Sequence, residues 1–339
     1  MSVFIVAELS ANHGCDLQIA KDTLYAAKEC GADAIKLQTY TADCLTIDCK
    51  SEIFKVKDSP LWSGKYLYDL YKEAAMPLEW NEKLFAYARE IGLVCFSTPF
   101  SRKGVDLLKS LNNPIYKIAS FEVVDLELVY YIARQGKPVI LSSGIATNDE
   151  LERAINIIKS RGVSDITLLK CVSAYPANIA DMNLREMRLL GEKFGVKFGL
   201  SDHTLGDNGH LAAIIATSLG ASMIEKHFIL DKKIRTADSA FSLDRTEFAE
   251  LVRMIRECES ALGNENVALD STNRKQGREF ARSLFVVRDI KKGEILSHKN
   301  IRAIRPNTGL SPQFLKEILG KKAVCDLPFG KPLEWSDFK

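Results

Sequence analysis

Residues 196–227, VKFGLSDHTLGDNGHLAAIIATSLGASMIEKH, hold one full repeat of the pattern that decides the fold. A short apolar run, Val196–Leu200, ends in Ser201-Asp202-His203. A helical stretch with apolar residues at i, i+3 and i+4 follows over His210–Leu219 and stops at Gly220. A second run, Met223–Ile224, ends in Glu225-Lys226-His227. Strand-like runs alternating with helical periodicity read as βαβ units, and so as a parallel sheet.

Working outward, the same rhythm fills the first 262 residues. Further β-branched runs occur at Val3–Ala7, Ala34–Leu37, Leu93–Phe96, Ile115–Ile118, Val139–Leu141 and Ile166–Leu169. Helical patterns lie at Ala20–Cys30, Trp80–Ile91, Val105–Leu111, Leu126–Arg134, Asp149–Lys159 and Leu184–Phe194, with a last one at Arg245–Leu262. Gly31, Gly92, Gly136, Gly162 and Gly220 each follow such a stretch, where a left-handed residue ends a helix. Eight units in residues 1–262 predict an α/β (β/α)8 TIM barrel. A doubly wound open sheet is the rival, because periodicity does not show closure.

Two regions break the rhythm. Residues 39–79 form an insertion after the second run, with the aromatic segment LWSGKYLYDLYKEAAMPLEW at 61–80. A loop of this length is a lid or substrate wall, or else a surface excursion packing its own aromatics. Residues 263–282 are polar and turn-rich and read as a linker. From Ser283 to Lys339 short strands and turns (SLFVVRDIKKGEIL, AVCDLPFGKPL) predict a small β-rich second domain. It is near the lower size limit for independent stability, so it is expected to lean on another surface.

Composition excludes several classes. With 46 basic and 44 acidic residues the net charge is +2, which leaves no footprint for nucleic acid or an anionic membrane. Nothing approaches the ~18 apolar residues of a membrane span, and no basic leader precedes the first run, so the cytoplasm is the expected compartment. The eight cysteines form no CxxC pair and mostly sit in apolar runs, as small buried hydrophobes do. No Walker or dinucleotide fingerprint occurs.

Chemistry collects after the strands, where a barrel builds its active site. Glu8, Asn12 and His13 follow the first run. Lys36 and Gln38 lie on the second, Thr98 on the third, and Lys117, Ser120 and Glu122 on and after the fourth. Ser142, Tyr175 and Ser201 come from the next three. A hydroxyl at a strand end often only caps the next helix, and that reading stands beside the functional one for Ser97, Ser143 and Thr204. Lys36 and Lys117 inside apolar strands are harder to explain as structure, since lysine is rarely buried unpaired. A bound anion with phosphate and carboxylate groups fits them. His203 and His227 close neighbouring strands and form a candidate divalent-metal site open to substrate; each alone reads more readily as a satisfied core histidine.

In order, AELSANHG, GADAIKLQTYTAD, FSTPFS, YKIASFE, ILSSGI, GLSDHT and IEKHF resemble the sialic acid synthase family. DIKKGEILSHKNIRAIRPNTGL resembles its C-terminal antifreeze-like (SAF) domain. Within the family, AELSANH, the 61–80 segment and EKHF…DSAFSLD are most similar to the pseudaminic acid synthase branch. The resemblance implies a metal-dependent transferase. It would condense phosphoenolpyruvate with the open-chain aldehyde of 2,4-diacetamido-2,4,6-trideoxy-altropyranose and water, releasing phosphate by C–O cleavage. The same chemistry on N-acetylmannosamine or the legionaminic acid precursor is an alternative, as is a non-catalytic carbohydrate-binding protein.

It further implies a manganese-type ion on His203 and His227, with magnesium or cobalt as substitutes. Phosphoenolpyruvate contacts fall on Lys36, Thr98, Lys117, Ser120, Ser142 and Ser201. Catalytic carboxylates fall on Glu8 and Glu122, and pocket or sugar contacts on Gln38, Tyr175 and Asp238. Arg305 matches an arginine inserted into a partner's barrel, which implies a domain-swapped homodimer. Trp62 and Tyr68 stand as walls for an apolar 6-deoxy end, or as packing residues.

Overall fold

The computed structural model describes residues 2–57, 59, 61–205, 208–263 and 272–339. Strands β1 (Phe4–Glu8), β2 (Ala34–Thr39), β3 (Val94–Pro99) and β4 (Tyr116–Ile118) pair in parallel in sequence order. They continue through β5 (Val139–Ser142), β6 (Ile166–Cys171), β7 (Lys197–Asp202) and β8 (Met223–His227), and β8 pairs with β1. The sheet is closed, so the open-sheet rival falls. Around it lie α1 (Leu17–Glu29), α2 (Ala42–Leu45), α3 (Leu67–Ala74), α4 (Trp80–Glu90) and α5 (Arg102–Ser110). The ring continues with α6 (Leu126–Ala133), α7 (Asn148–Ser160), α8 (Arg185–Phe194), α9 (Asn208–Ser218) and α10 (Arg245–Leu262). The 39–79 insertion is therefore not one loop, since it carries α2 and α3.

Alternation along the strands sorts the core. Ile5, Ile35, Ile118, Leu141, Leu200 and Ile224 face outward and pack with helix residues such as Leu24, Leu84, Leu108 and Phe248. Each such side chain contributes about 1.5–3 kcal/mol on burial. Inside the barrel, Val6, Ala34, Phe96, Ile140, Leu169 and Met223 form a separate apolar plug. Two residues further along the same strands stand Glu8, Lys36, Thr98, Ser142, Cys171 and Glu225, all buried. Because side chains repeat with period two, this polar layer sits directly on the plug. The chain changes chemistry within one step of the pleat.

The five glycines expected at helix ends all have positive φ, from +65° at Gly136 to +91° at Gly220. Asp244 caps α10 in a capping box with Glu247, which fixes where the long final helix begins. Among the described residues no helix is long and apolar enough to cross a membrane. The eight cysteines are free thiols.

Asn264–Lys339 forms a second compact unit. Much of the expected 263–282 linker, residues 264–271, lies outside the described residues; the remainder includes α11 (Thr272–Gly277). In this unit β9 (Ser283–Val286) and β10 (Ile301–Ile304) pair antiparallel, with Ile301 opposite Val286. Together with α12 (Leu315–Ile318) they enclose a small core of Leu284, Val286, Ile290, Leu296, Ile318 and Leu333. Buried Ser283 donates to the Pro306 carbonyl at 2.7 Å and accepts from the Gly309 amide at 2.9 Å. That holds the turn after β10, on which Arg305 is exposed.

Candidate active site

A cavity of about 730 Å³ opens at the C-terminal ends of the barrel strands. Of the residues singled out in the sequence, Glu8, Lys36, Gln38, Lys117, Ser120, Glu122, Ser142, Tyr175, Ser201, His203, His227 and Asp238 all line it. Thr98 lies just below, buried, its hydroxyl 3.5 Å from Lys36 Nζ. Arg305 belongs to the second unit.

Strand register builds the floor. Glu8 lies opposite Lys36 on one side and opposite His227 on the other. Lys36 Nζ is paired with Glu8 Oε2 and lies 3.6 Å from Glu225 Oε1. Lys117 Nζ approaches the same Glu225 oxygen at 3.4 Å, and Ser201 donates to it at 3.0 Å. Glu225 was given no role from sequence. The signal for it was its place two residues before His227 on one strand, which aims both into the barrel.

This cluster is not self-sufficient. Two lysines share one carboxylate oxygen at long range, while Glu225 Oε2, Ser142 Oγ and Glu122 Oε2 are buried with no hydrogen-bond partner among the described residues. Buried polar groups are normally satisfied, so such a set in one cavity marks groups waiting for a ligand. Burial works to raise Glu225, but Lys117 and Lys36 outweigh it and hold its carboxyl at about 2. Burial pushes the Glu8 carboxyl up to about 7 against the pull of Lys36. Burial pulls Lys117 down. On Lys36 burial is outweighed by Glu225 and Glu8, and the ammonium is held. With one firm anion against two cations, the floor favours an entering anion.

One layer higher stand the two imidazoles, ring centroids 5.3 Å apart. His203 Nδ1 meets the Val172 carbonyl at 2.9 Å, so in the neutral form of the ring Nδ1 carries the proton and Nε2 keeps the lone pair. His227 Nδ1 is buried without a hydrogen-bond partner, 3.9 Å from Asp238 Oδ2. Burial, then the positive neighbours His203 and Lys36, hold His227 well below its ordinary value, hence neutral. Burial also opposes charge on His203, but the Cys171 thiol 3.8 Å away raises it.

These donors fit a divalent ion: two imidazoles, one with a carbonyl fixing its tautomer, and a carboxylate alongside. Among the described residues no group of three or more His, Cys, Asp or Glu has metal-binding geometry.

The rim is ordered by its own bonds. Gln38 donates to Glu8 Oε1 and to Ser10 Oγ, both at 2.9 Å, and Ser10 in turn donates to Asp238. Burial pushes the Asp238 carboxyl up. Ser120 and Ser173 hydroxyls meet at 2.9 Å. A Cβ on Gly144, at φ +35°, would stand 2.1 Å from Ser120 Cβ, so only glycine lets the loop after β5 pass that pair. Glu122 is pushed up to about 7 by burial, against Lys117.

Other polar strand-end residues are structural. Lys226 points outward, fully buried, and donates to Asp202 at 2.8 Å and to the Thr204 carbonyl at 2.6 Å. His13, which follows the first run, packs edge-on against Trp80 at 5.8 Å and accepts from the Cys15 amide. His210 meets the Glu247 carbonyl. Ser97 does not cap a helix but meets Thr39 at 2.7 Å. Tyr68 lies off the cavity and bonds Asp43, whereas Trp62 lines it.

Residues 23–267 match the model of the NeuB family, and residues 281–339 match the SAF domain. The chain belongs to the NeuB family. It is 54% identical over 335 residues to a pseudaminic acid synthase of Helicobacter pylori, covering 99% of this chain and 97% of that protein. It is 49% identical to one from Campylobacter jejuni, again covering 99% and 97%. A crystal structure of a Leptospira borgpetersenii N-acetylneuraminic acid synthetase superposes with TM-score 0.72 at 30% identity. That match covers 83% of this chain and 91% of that one. The resemblance expected from the motifs therefore holds, and so does the pairing of barrel and SAF domain.

The Glu122 carboxyl gives a pH-dependent stability. It ordinarily titrates at 4.5 and does so at about 7 in the fold. Between those values the unfolded chain ionises while the native state stays protonated, so stability falls as pH rises through the window. Glu122→Gln removes that loss. Its Tm should exceed the parent's at pH 8, with the two converging by pH 4; equal differences at both pH values would contradict it.

Proposed function

We propose that this chain is a pseudaminic acid synthase. It condenses phosphoenolpyruvate with the open-chain aldehyde of 2,4-diacetamido-2,4,6-trideoxy-altropyranose and water, giving pseudaminic acid and phosphate. One observation carries the reading: a two-lysine floor with unpartnered acceptors and hydroxyls lies one residue layer below a pair of imidazoles. The full-length similarity to the Helicobacter and Campylobacter enzymes supports the choice of sugar.

Lys36 and Lys117 bind the phosphate and carboxylate of phosphoenolpyruvate by charge-assisted hydrogen bonds, with Ser120, Ser142 and Ser201 beside them and Thr98 supporting Lys36. His203 and His227 hold a divalent ion, manganese in the first instance, with magnesium or cobalt as substitutes. When bound, the ion supplies Lewis-acid polarisation of the aldehyde oxygen. The methylene carbon of phosphoenolpyruvate bonds to the aldehyde carbon, which leaves cationic character on the phosphate-bearing enol carbon. Glu122, protonated up to about pH 7, donates to the oxygen that becomes a hydroxyl. Glu8, also poised at about 7, takes a proton from the water that adds at the former enol carbon. The new hydroxyl on that carbon then gives up its proton to the departing phosphate as the carbon–oxygen bond to phosphate breaks, leaving the keto acid and inorganic phosphate. Glu225 stays ionised and stabilises the cationic character at that carbon. Gln38, Tyr175 and Asp238 orient the sugar.

The deciding experiment measures phosphate release with phosphoenolpyruvate, manganese and each of three sugars: the trideoxy-altrose, its legionaminic acid counterpart and N-acetylmannosamine. Turnover is expected with the first. Turnover with N-acetylmannosamine alone would overturn the choice of sugar, and none with any sugar would favour a binding protein.

The active unit is proposed to be a domain-swapped homodimer in which Arg305 of one copy reaches its partner's sugar. Its exposure on a turn fixed by Ser283, and the absence of a partner for its guanidinium among the described residues, support this. Arg305→Ala should raise KM for the sugar about tenfold or more, as loss of a charged hydrogen bond does, with KM for phosphoenolpyruvate unmoved. Unchanged sugar KM would refute the swap.

A further inference from the structure

Beyond the reacting centre, the cavity changes character. Helix α3 turns Leu67, Leu70, Tyr71 and Ala74, spaced i, i+3, i+4 and i+7, toward the cavity. An apolar helical stripe normally seals against a core, yet this one lines a cavity. Leu45 of α2 and Val56 join it. The 39–79 segment is tied over the mouth where Trp62 Nε1 donates to the Ala237 carbonyl at 3.1 Å, next to Asp238. Trp62 stacks on Tyr175 at 5.9 Å, and Tyr175 on His203 at 4.4 Å. Trp62 of the insertion is thus linked through Tyr175 to the imidazole pair, and it lines the same cavity as Leu45, Val56 and Leu67.

We infer that the Leu45–Val56–Leu67 wall is the specificity-determining surface for the sugar's far end, selecting a terminal methyl over a hydroxymethyl group. This rests on the proposed condensation. With the aldehyde held at His203 and His227, an open-chain hexose extends away from the barrel floor and brings its sixth carbon to the insertion. A methyl there buries apolar surface against leucine and valine. A hydroxyl placed against Leu45, Val56 and Leu67 loses water and meets side chains that neither donate nor accept. Apolar pockets discriminate only modestly against an added hydroxyl, so the expected preference is about 10²-fold in kcat/KM.

The test compares two aldehydes of the same configuration with manganese-loaded enzyme: the 2,4-diacetamido-2,4,6-trideoxy sugar and its 6-hydroxy counterpart. The parent should prefer the deoxy sugar by about 10²-fold. Val56→Thr and Leu67→Asn add hydrogen-bonding groups to the wall and should each cut that ratio about fivefold or more, a partial loss of the same term. KM for phosphoenolpyruvate should stay put. Leu45→Ser, on a different helix, gives an independent reading should Leu67→Asn fail to fold. A parent that prefers the deoxy sugar, with ratios unmoved in the folded variants, overturns this inference and leaves the proposed function standing. A parent that turns over N-acetylmannosamine alone overturns both.

Discussion

His227→Gln should lower kcat by about 10³-fold or more, because it removes one of the two imidazoles and with it several kcal/mol of transition-state charge stabilisation. The amide keeps polarity near Asp238 but offers a poorer ligand. Activity alone does not distinguish a metal ligand from a misfolded site, so two further readouts matter. Manganese binding by equilibrium dialysis should fall sharply. The rise in parent Tm on adding manganese, which any ligand specific to the native state produces, should vanish in the variant. Treatment with a chelator should silence the parent and manganese should restore it. A variant that binds manganese like the parent would remove His227 from the metal site. Because burial holds His227 neutral in the free protein, no protonation barrier to metal binding is expected near pH 7.

Much of this was legible in the chain, and the misses along the strands have one cause. Apolar runs stop at Leu37, Phe96, Leu169, Leu200 and Ile224, but the strands run on to Thr39, Pro99, Cys171, Asp202 and His227. Hydropathy marks a strand only while its facing side chains are dry. At the C-terminal ends the interior becomes cavity, inward positions turn polar, and the backbone ladder continues unmarked. Most polar residues on these extensions were picked out by their chemistry, but Glu225 was passed over as a residue beyond a strand when it is an inward residue of β8. Reading two places on from the apolar plug would have found it.

The insertion was missed differently. Helix α3 carries a regular apolar stripe, but aromatics on either side blur its edges, and it spans only Leu67–Ala74. Short helices draw their stability from what they pack against, which a local reading does not contain. Arg305 came from family likeness alone, since nothing in its neighbourhood marks a solvent-exposed arginine on a turn as functional.

Lys117→Met should separate function from stability. The parent confines two ammonium groups with Glu8, Glu225 and few other partners, and burial pulls Lys117 down, so its charge is held at a cost to the free protein. Removing one member of a buried ion cluster is costly when it strands the opposite charge, and here it does not. Glu225 would keep Lys36 and the Ser201 hydroxyl at 3.0 Å. The Tm of the substrate-free variant should therefore lie within a few degrees of the parent's. Phosphoenolpyruvate, by contrast, loses a desolvated charge partner worth about 2–5 kcal/mol. That predicts kcat/KM for phosphoenolpyruvate down by about 10²–10³ or more, with sugar KM little changed. A large drop in Tm with unaltered phosphoenolpyruvate affinity would mean that Lys117 serves the barrel's core instead. Lys117→Arg should not rescue the loss, because the planar guanidinium needs more room than the ammonium does between β4 and β8.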